Sequence, residues 1–264
     1  MKKSPIQSKK LSPFLERVVY EIRYAYGHTY LDRCGQTLID IEQSMPQWMA
    51  AEPTAASGQL QDHTNGFIAN FGPTKFDFTA NSAYLKKVEQ IGTSAHAIWD
   101  IIRNNLGLSS FIRVGCRFRF LLAKRSFDEA ENCLSKSEFN VSLPKGLGAY
   151  RPIVRQPIMV VKSEHDIEYR LEMQVVPKQL TGSNLPFTAA HPRLLTKNQR
   201  QAQSVLQKQG AFMGIGSPGD NLPYVILLDI DCAQYESLNT NPRTYIEEQY
   251  AICMRDFVPY LRNL

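Results

Sequence analysis

The sequence lacks the residue patterns that mark the commoner kinds of functional site. Its five histidines are scattered, and no two of them lie four residues apart, so there is no helical zinc motif. Its five cysteines are widely spaced, without a Cys-x-x-Cys pair, which indicates reduced core thiols rather than a disulfide framework. The one glycine-rich run, at residues 214–219, precedes a strand-like segment rather than a helix. We therefore expect no cofactor.

Long apolar runs are also missing. The longest clear one, residues 224–228, is too short to span a bilayer. The first ten residues carry lysines where a secretory signal would carry an apolar core. These observations predict a cytoplasmic chain without a membrane partner.

The excess of positive charge is concentrated at one end of the chain. The formal charge is +5, and the first ten residues contribute four lysines and no acid, which leaves +1 for the rest. We expect residues 1–12 to form a basic, disordered arm. The folded body is then nearly neutral, and its total charge gives no reason to expect a nucleic-acid partner.

Alternating and helical periodicities follow one another along the remaining 13–264, which predicts a single α+β domain. The pattern indicates an antiparallel or mixed sheet of about eight strands with long helices packed on it. One predicted helix begins after Thr29 and extends through Trp48, and another carries Ile98 on its apolar face. Trp48 and Ile98 are both expected to face the sheet.

The order of elements is loosely similar in two pseudo-repeated halves, 13–125 and 126–264. The rhythm is interrupted at residues 177–223, which are rich in proline and glycine. That stretch is interpreted as an insertion or flap.

Asp229 and Asp231 form the best carboxylate pair in the sequence. Because they lie two residues apart on a predicted strand, both side chains point to one face, where carboxylate oxygens suit a hard cation. The alternative is that these acids stand where a buried strand leaves the core.

A basic stripe is the strongest local concentration of charge in the body. Five residues between 113 and 125 are basic and none is acidic: Arg113, Arg117, Arg119, Lys124 and Arg125. Such a stripe is suited to nucleic-acid phosphates. The favoured alternative is a solvated ladder, in which the arginines pair across strands with an acidic stripe at Glu168 and Glu172.

Two segments resemble a sporadically distributed bacterial protein family that has no assigned activity. They are the opening strand at residues 18–24 (Val-Val-Tyr-Glu-Ile-Arg-Tyr) and the closing strand at residues 227–231 (Leu-Leu-Asp-Ile-Asp). The resemblance implies a bacterial cytoplasmic α+β protein and transfers no catalytic residue.

No nucleophile and base can be paired from the sequence, so a non-enzymatic binding protein with a protein partner is the first expectation. Two alternatives stay open. One is a metal-dependent hydrolase or nuclease that uses Asp229 and Asp231, and the other is a nucleic-acid-binding protein that uses the arginine strand.

Overall fold

A computed structural model describes residues 12–25, 27–136, 158–162, 167–177, 222–236 and 238–264. Within these ranges the chain forms one nine-stranded sheet in the order β2-β3-β4-β5-β1-β6-β9-β8-β7. Every neighbouring pair is antiparallel. The described helices contribute their apolar side chains to a core on one face of this sheet. The predicted α+β class is confirmed.

The strands are β1 (Phe14–Tyr24), β2 (Trp48–Ala50), β3 (Gly58–Asp62), β4 (Phe67–Phe71), β5 (Lys75–Asn81), β6 (Phe111–Lys124), β7 (Ile158–Lys162), β8 (Ile167–Pro177) and β9 (Tyr224–Gln234). The helices are α1 (Tyr30–Ser44), α2 (Val88–Leu106), α3 (Phe127–Ser135), α4 (Pro242–Ile252) and α5 (Val258–Arg262). A π-helical turn, Cys253–Phe257, joins α4 to α5.

The two-residue period of the central strands produces the two faces. In β1, Val18, Tyr20 and Ile22 are fully buried against the helices, while the residues between them point the other way. β8 alternates in the same manner, with Tyr169 and Leu171 in the core. One face is therefore a conventional core, and the opposite face is polar over much of its area.

Residue types that favour helix ends and turns stand where the structure has them. Ser126 accepts a hydrogen bond from the Glu129 backbone N–H, and Asn241 caps α4 at its first turn. Gly107 ends α2 with a φ of 64°, a left-handed conformation that glycine adopts without strain. The alternating runs on either side of Gly72 form the hairpin of β4 and β5.

The predicted helix through Trp48 was too long. α1 ends at Ser44, because Pro46 cannot donate a backbone hydrogen bond and disfavours a helical conformation of the residue before it. Trp48 instead begins β2, where it is buried and its ring lies 6.1 Å from that of Phe78. The short strands β2 and β3 were not predicted, since three to five residues give too little alternation to recognise.

The two halves of the sheet repeat each other. The hairpin β3–β4 begins at residue 58 and pairs Gly58 with Phe71, and the hairpin β7–β8 begins 100 residues later and pairs Ile158 with Leu171. The helix that follows each hairpin repeats at a spacing larger than 100 residues. α2 begins at residue 88 and α4 at residue 242, which are 154 residues apart. The same spacing of 154 residues relates the strands that pair with the two hairpins. Residue 80 of β5 lies opposite Phe67 of β4, and residue 234 of β9 lies opposite Ile167 of β8.

This correspondence relates β1 to β6 by a pseudo-two-fold axis between Tyr20 and Cys116, which lie directly opposite each other. The boundary between the halves then falls at residues 107–110, between α2 and β6, whereas the sequence-based boundary fell after residue 125. Between the hairpin and the helix, the first half has 16 residues and the second has 64, a difference of 48. The proposed insertion at 177–223 would account for most of this difference.

Some predictions fall on residues outside the described ranges. They are the basic arm up to residue 11, the predicted strand at 138–143, nearly all of the proposed insertion and the glycine-rich run at 214–219.

Changing Ile98 to Asp is expected to lower the free energy of unfolding by about 3 kcal/mol or more, because Ile98 is fully buried and the carboxylate would have no partner there. Asn104→Asp adds the same charge at an exposed position of the same helix and should change stability by about 1 kcal/mol or less. Urea denaturation measures both. Equal stability of the two variants would contradict the packing of α2.

Candidate functional site

The face of the sheet opposite the helices, here called the charged face, carries most of the ionic contacts in the described part of the chain. Fourteen charged side chains from five adjacent strands lie on it: Glu16, Arg17, Glu21, Arg23, Lys75, Asp77, Arg113, Arg117, Arg119, Glu168, Arg170, Glu172, Asp229 and Asp231. Seven are acidic and seven are basic. The face therefore has no formal net charge.

The arginines of β6 are paired with acids. Arg117 makes a two-pronged contact with Asp229, with its Nε and Nη2 each 2.6 Å from a carboxylate oxygen. Arg113 donates to Glu21 at 2.7 Å and lies 3.7 Å from Asp231. This arrangement favours the structural ladder over a free phosphate-binding stripe.

The partners in this ladder differ from those predicted. β6 lies between β1 and β9, so its arginines meet Glu21 and the two aspartates rather than Glu168 and Glu172, which lie one strand further away on β8. Lys124 does not extend the stripe. Its amine is 3.2 Å from the Cys133 thiol, on the side where α3 packs.

Asp229 and Asp231 share a face, as expected, but their contacts suit a metal poorly. Both oxygens of Asp229 accept hydrogen bonds from Arg117, and its side chain is only 7% exposed. Burial raises the pKa of Asp231. Among the described residues no three His, Cys, Asp or Glu side chains are grouped so that they could hold a metal ion. His165 lies outside the described ranges.

A β-bulge near the start of β1 brings a further acid into this face. Leu15 lies opposite Phe120 and Arg17 opposite Arg119, so Glu16 is the extra residue between them. The Glu16 carboxylate lies 3.7 Å from Arg17 and 4.0 Å from Arg119, and Arg119 lies 3.6 Å from Asp229. We call Glu16, Arg17, Arg117, Arg119 and Asp229 the Glu16 cluster.

The Glu16 cluster is partly buried and incompletely hydrogen-bonded. The Glu16 side chain is 10% exposed. Its Oε2 atom and the Nε atoms of Arg17 and Arg119 are buried without a hydrogen-bond partner. Burial raises the pKa of Glu16, and burial together with repulsion from Arg119 and Arg117 lowers the pKa of Arg17. Unmade hydrogen bonds of buried charged groups are costly, so this cluster is the strongest candidate for a site.

The charged face is bordered by a small apolar cluster. Leu121, Ala123, Val225 and Leu227 are 0–4% exposed, and the partly buried Phe14 and Leu222 pack against them. Leu121 and Ala123 follow Arg119 along β6, and Leu227 and Val225 precede Asp229 on β9. All four side chains point to the same side of the sheet as those two charged residues. The Glu16 cluster thus lies where the polar part of the face meets an apolar part.

Sequence reasoning did not identify Glu16 and Arg17. The only available signal was two adjacent charges at the start of an alternating strand, where one of them must point toward an apolar side or form a bulge.

A pocket of about 360 Å³ lies between β4 and the first turns of α2. The Lys86 amine there donates to Asn65 at 3.1 Å. The charged residues of this pocket, Lys86 and Glu89, are not buried. It is therefore a weaker candidate than the Glu16 cluster.

Comparison with models of known protein families finds no match, and neither does comparison with curated proteins. The resemblance to the sporadic bacterial family therefore stays a prediction from two strand motifs. None of the described helices is both long enough and apolar enough to cross a membrane.

Replacing Arg117 by Gln is expected to lower the free energy of unfolding by about 1–3 kcal/mol, because Asp229 then loses its two-pronged partner in a buried position. Arg117 itself is 50% exposed, and solvent screening keeps the loss below that of a fully buried pair. Arg23→Gln removes an exposed pair on the same face and should cost about 0–1 kcal/mol. The measurement is urea denaturation, and an equal loss in the two variants would show that the Arg117–Asp229 contact adds nothing.

Glu16→Gln is expected to change how stability depends on pH. Because the folded-state pKa of Glu16 is raised above its ordinary value of 4.5, the folded chain holds that proton more tightly than the unfolded chain. The contribution of Glu16 is therefore most favourable at low pH and is lost as pH rises through the folded pKa. The free energy of unfolding of Glu16→Gln, relative to the unmodified chain, should rise between pH 4 and pH 8, measured by urea titrations at about five pH values. A difference that stays constant over this interval would contradict the raised pKa.

Proposed function

We propose that this chain is a non-enzymatic binding protein that recognises a partner protein through the charged face, at the Glu16 cluster. The supporting observation is that three polar atoms, on Glu16, Arg17 and Arg119, are buried without a hydrogen-bond partner. On the same face Arg23, Arg113 and Arg117 each donate a hydrogen bond to a carboxylate. The resemblance of its strand motifs supports a bacterial, cytoplasmic setting.

The charge balance of the face supports a protein partner over nucleic acid. Nucleic-acid affinity comes mainly from unneutralised lysine and arginine side chains opposite phosphates. Here seven acids accompany seven bases, and Arg113, Arg117 and Arg119 each lie within 4.0 Å of a carboxylate. Protein interfaces, in contrast, are enriched in arginine and combine both signs of charge.

The hydrolase alternative has less support, because Arg117 already occupies both oxygens of Asp229. A metal would have to displace a guanidinium before it could bind. Calorimetric titration with Mg²⁺ or Mn²⁺ tests this directly. A heat of binding that disappears in an Asp229→Asn, Asp231→Asn double variant would favour the hydrolase.

The proposed function is tested by affinity capture with the tagged full-length chain from a bacterial lysate, with and without nuclease treatment. A partner protein should be retained after nuclease treatment. Its recovery should fall at least about ten-fold for Arg17→Glu, since a buried charge of opposite sign costs more than 1.4 kcal/mol of binding. Arg23→Glu, an exposed change on the same strand, should leave recovery within about two-fold.

The outcomes separate the candidate functions. Capture that disappears with nuclease would favour the nucleic-acid alternative. Equal loss in Arg17→Glu and Arg23→Glu would place the contact on the wider face rather than at the Glu16 cluster. Capture unaffected by either change would remove the charged face from the proposal.

A further inference from the structure

Two pairs of arginines lie directly opposite each other across β1 and β6, one near each end of the ladder. They are Arg23 opposite Arg113, and Arg17 opposite Arg119. Like charges in directly opposite positions repel each other unless an anion lies between them. The pseudo-two-fold axis between Tyr20 and Cys116 exchanges the two pairs, so each is the structural counterpart of the other.

At one end of the ladder a carboxylate bridges the two guanidinium groups. Glu21 Oε1 accepts a hydrogen bond from Arg23 Nε at 2.8 Å and another from Arg113 Nη1 at 2.7 Å. A single carboxylate oxygen thus neutralises the pair with two short, charge-assisted hydrogen bonds.

The counterpart pair has no such bridge. The position that corresponds to Glu21 is Arg117, which lies opposite Asp231 as Glu21 lies opposite Asp77. Among the residues that the structure describes, the nearest carboxylate oxygens to Arg17 and Arg119 are 3.6–4.0 Å away, too long for hydrogen bonds. The Nε atoms of both arginines have no hydrogen-bond partner.

The charges of the Glu16 cluster are also unbalanced. Three guanidinium groups, of Arg17, Arg117 and Arg119, face two carboxylates, of Glu16 and Asp229. Each of the side chains of Arg17 and Arg119 is 22% exposed, so solvent reaches part of each side chain, although both Nε atoms are buried. One further negative charge would balance the cluster.

We propose that Arg17 and Arg119 form a binding site for an oxyanion, a carboxylate or phosphate group, which occupies the position that Glu21 fills between Arg23 and Arg113. This inference rests on the proposed function, because it names the chemical group by which a partner engages the Glu16 cluster. The planar guanidinium fork matches both kinds of oxyanion.

The direct test is a titration of the full-length chain with inorganic phosphate, and separately with acetate, at an ionic strength held constant with chloride. The Nε–H signals of the arginine side chains are followed by NMR. Those of Arg17 and Arg119 should shift in a saturable manner, while that of Arg23, already bonded to Glu21, should not. A preference for acetate would indicate the carboxylate of a partner protein, and a preference for phosphate a phosphate group.

Three variants give opposed expectations for the dissociation constant of the preferred anion. Arg17→Gln should raise it about ten-fold or more, because it removes a charge-assisted hydrogen-bonding group. Arg23→Gln makes the same change at Arg23, which the pseudo-two-fold axis relates to Arg119. It should leave the dissociation constant within about two-fold. Glu16→Gln should lower it, since it removes a negative charge next to the bound anion. Structural damage alone would not produce a gain in affinity.

The proposal is overturned if phosphate and acetate shift the Arg17 and Arg119 signals no more than chloride does. It is also overturned if Arg17→Gln and Arg23→Gln weaken binding equally. If the captured partner still depends on Arg17 under those circumstances, the proposed function stands and only the oxyanion site is wrong. If anions bind as expected and no partner is captured, the site stands and the protein partner is wrong.

Discussion

The antiparallel pairing of β1 with β6 is the interaction on which the other features of this fold depend. It joins the two halves of the sheet, and it places Tyr20 and Cys116 opposite each other at the centre of the core. The helices α2 and α4 meet above it, where the backbone at Gly92 approaches Arg243 so closely that a Cβ at position 92 would lie 3.0 Å from the Arg243 Cα. A shift of this pairing by one residue would exchange the core and charged faces of both strands.

The same pairing determines the electrostatics of the charged face. Because alternate residues of adjacent strands point to one side, arginines of β1 and β6 are forced into direct opposition, and acids from β1 and β9 are drawn in to neutralise them. The ladder succeeds where an acid lies within hydrogen-bond distance, as Glu21 does. The ladder is incomplete at Arg17 and Arg119. The acid there is Glu16, which belongs to a bulge, and its carboxylate lies too far from both guanidinium groups for hydrogen bonds.

Much of the fold was accessible from the sequence, because long strands and helices repeat their apolar residues with regular periods. β8 was predicted from its alternation, β9 from its continuous apolar run, and α2 from its apolar stripe and Gly107. Trp48 was placed in the core correctly but in the wrong element, since the proline that ends α1 was read as part of the helix. The sequence led us to expect a ladder of paired charges. Because strand order cannot be deduced from periodicity, its acidic partners were wrongly assigned to Glu168 and Glu172. The Glu16 cluster depends on a one-residue bulge and on contacts between residues over 100 positions apart, neither of which leaves a local signal.

The repeated architecture has a consequence for stoichiometry. Two identical subunits related by a true two-fold axis would carry the same residue at corresponding positions, and any ligand pocket near the axis would occur twice. Fusion into one chain removes that restriction: Glu21 in the first half corresponds to Arg117 in the second, an acid against a base. One arginine pair is consequently bridged by the chain's own carboxylate, while the counterpart pair has no hydrogen-bonded carboxylate among the described residues. The proposed oxyanion site would therefore occur once in this chain, whereas a symmetric dimer would carry two such sites or none.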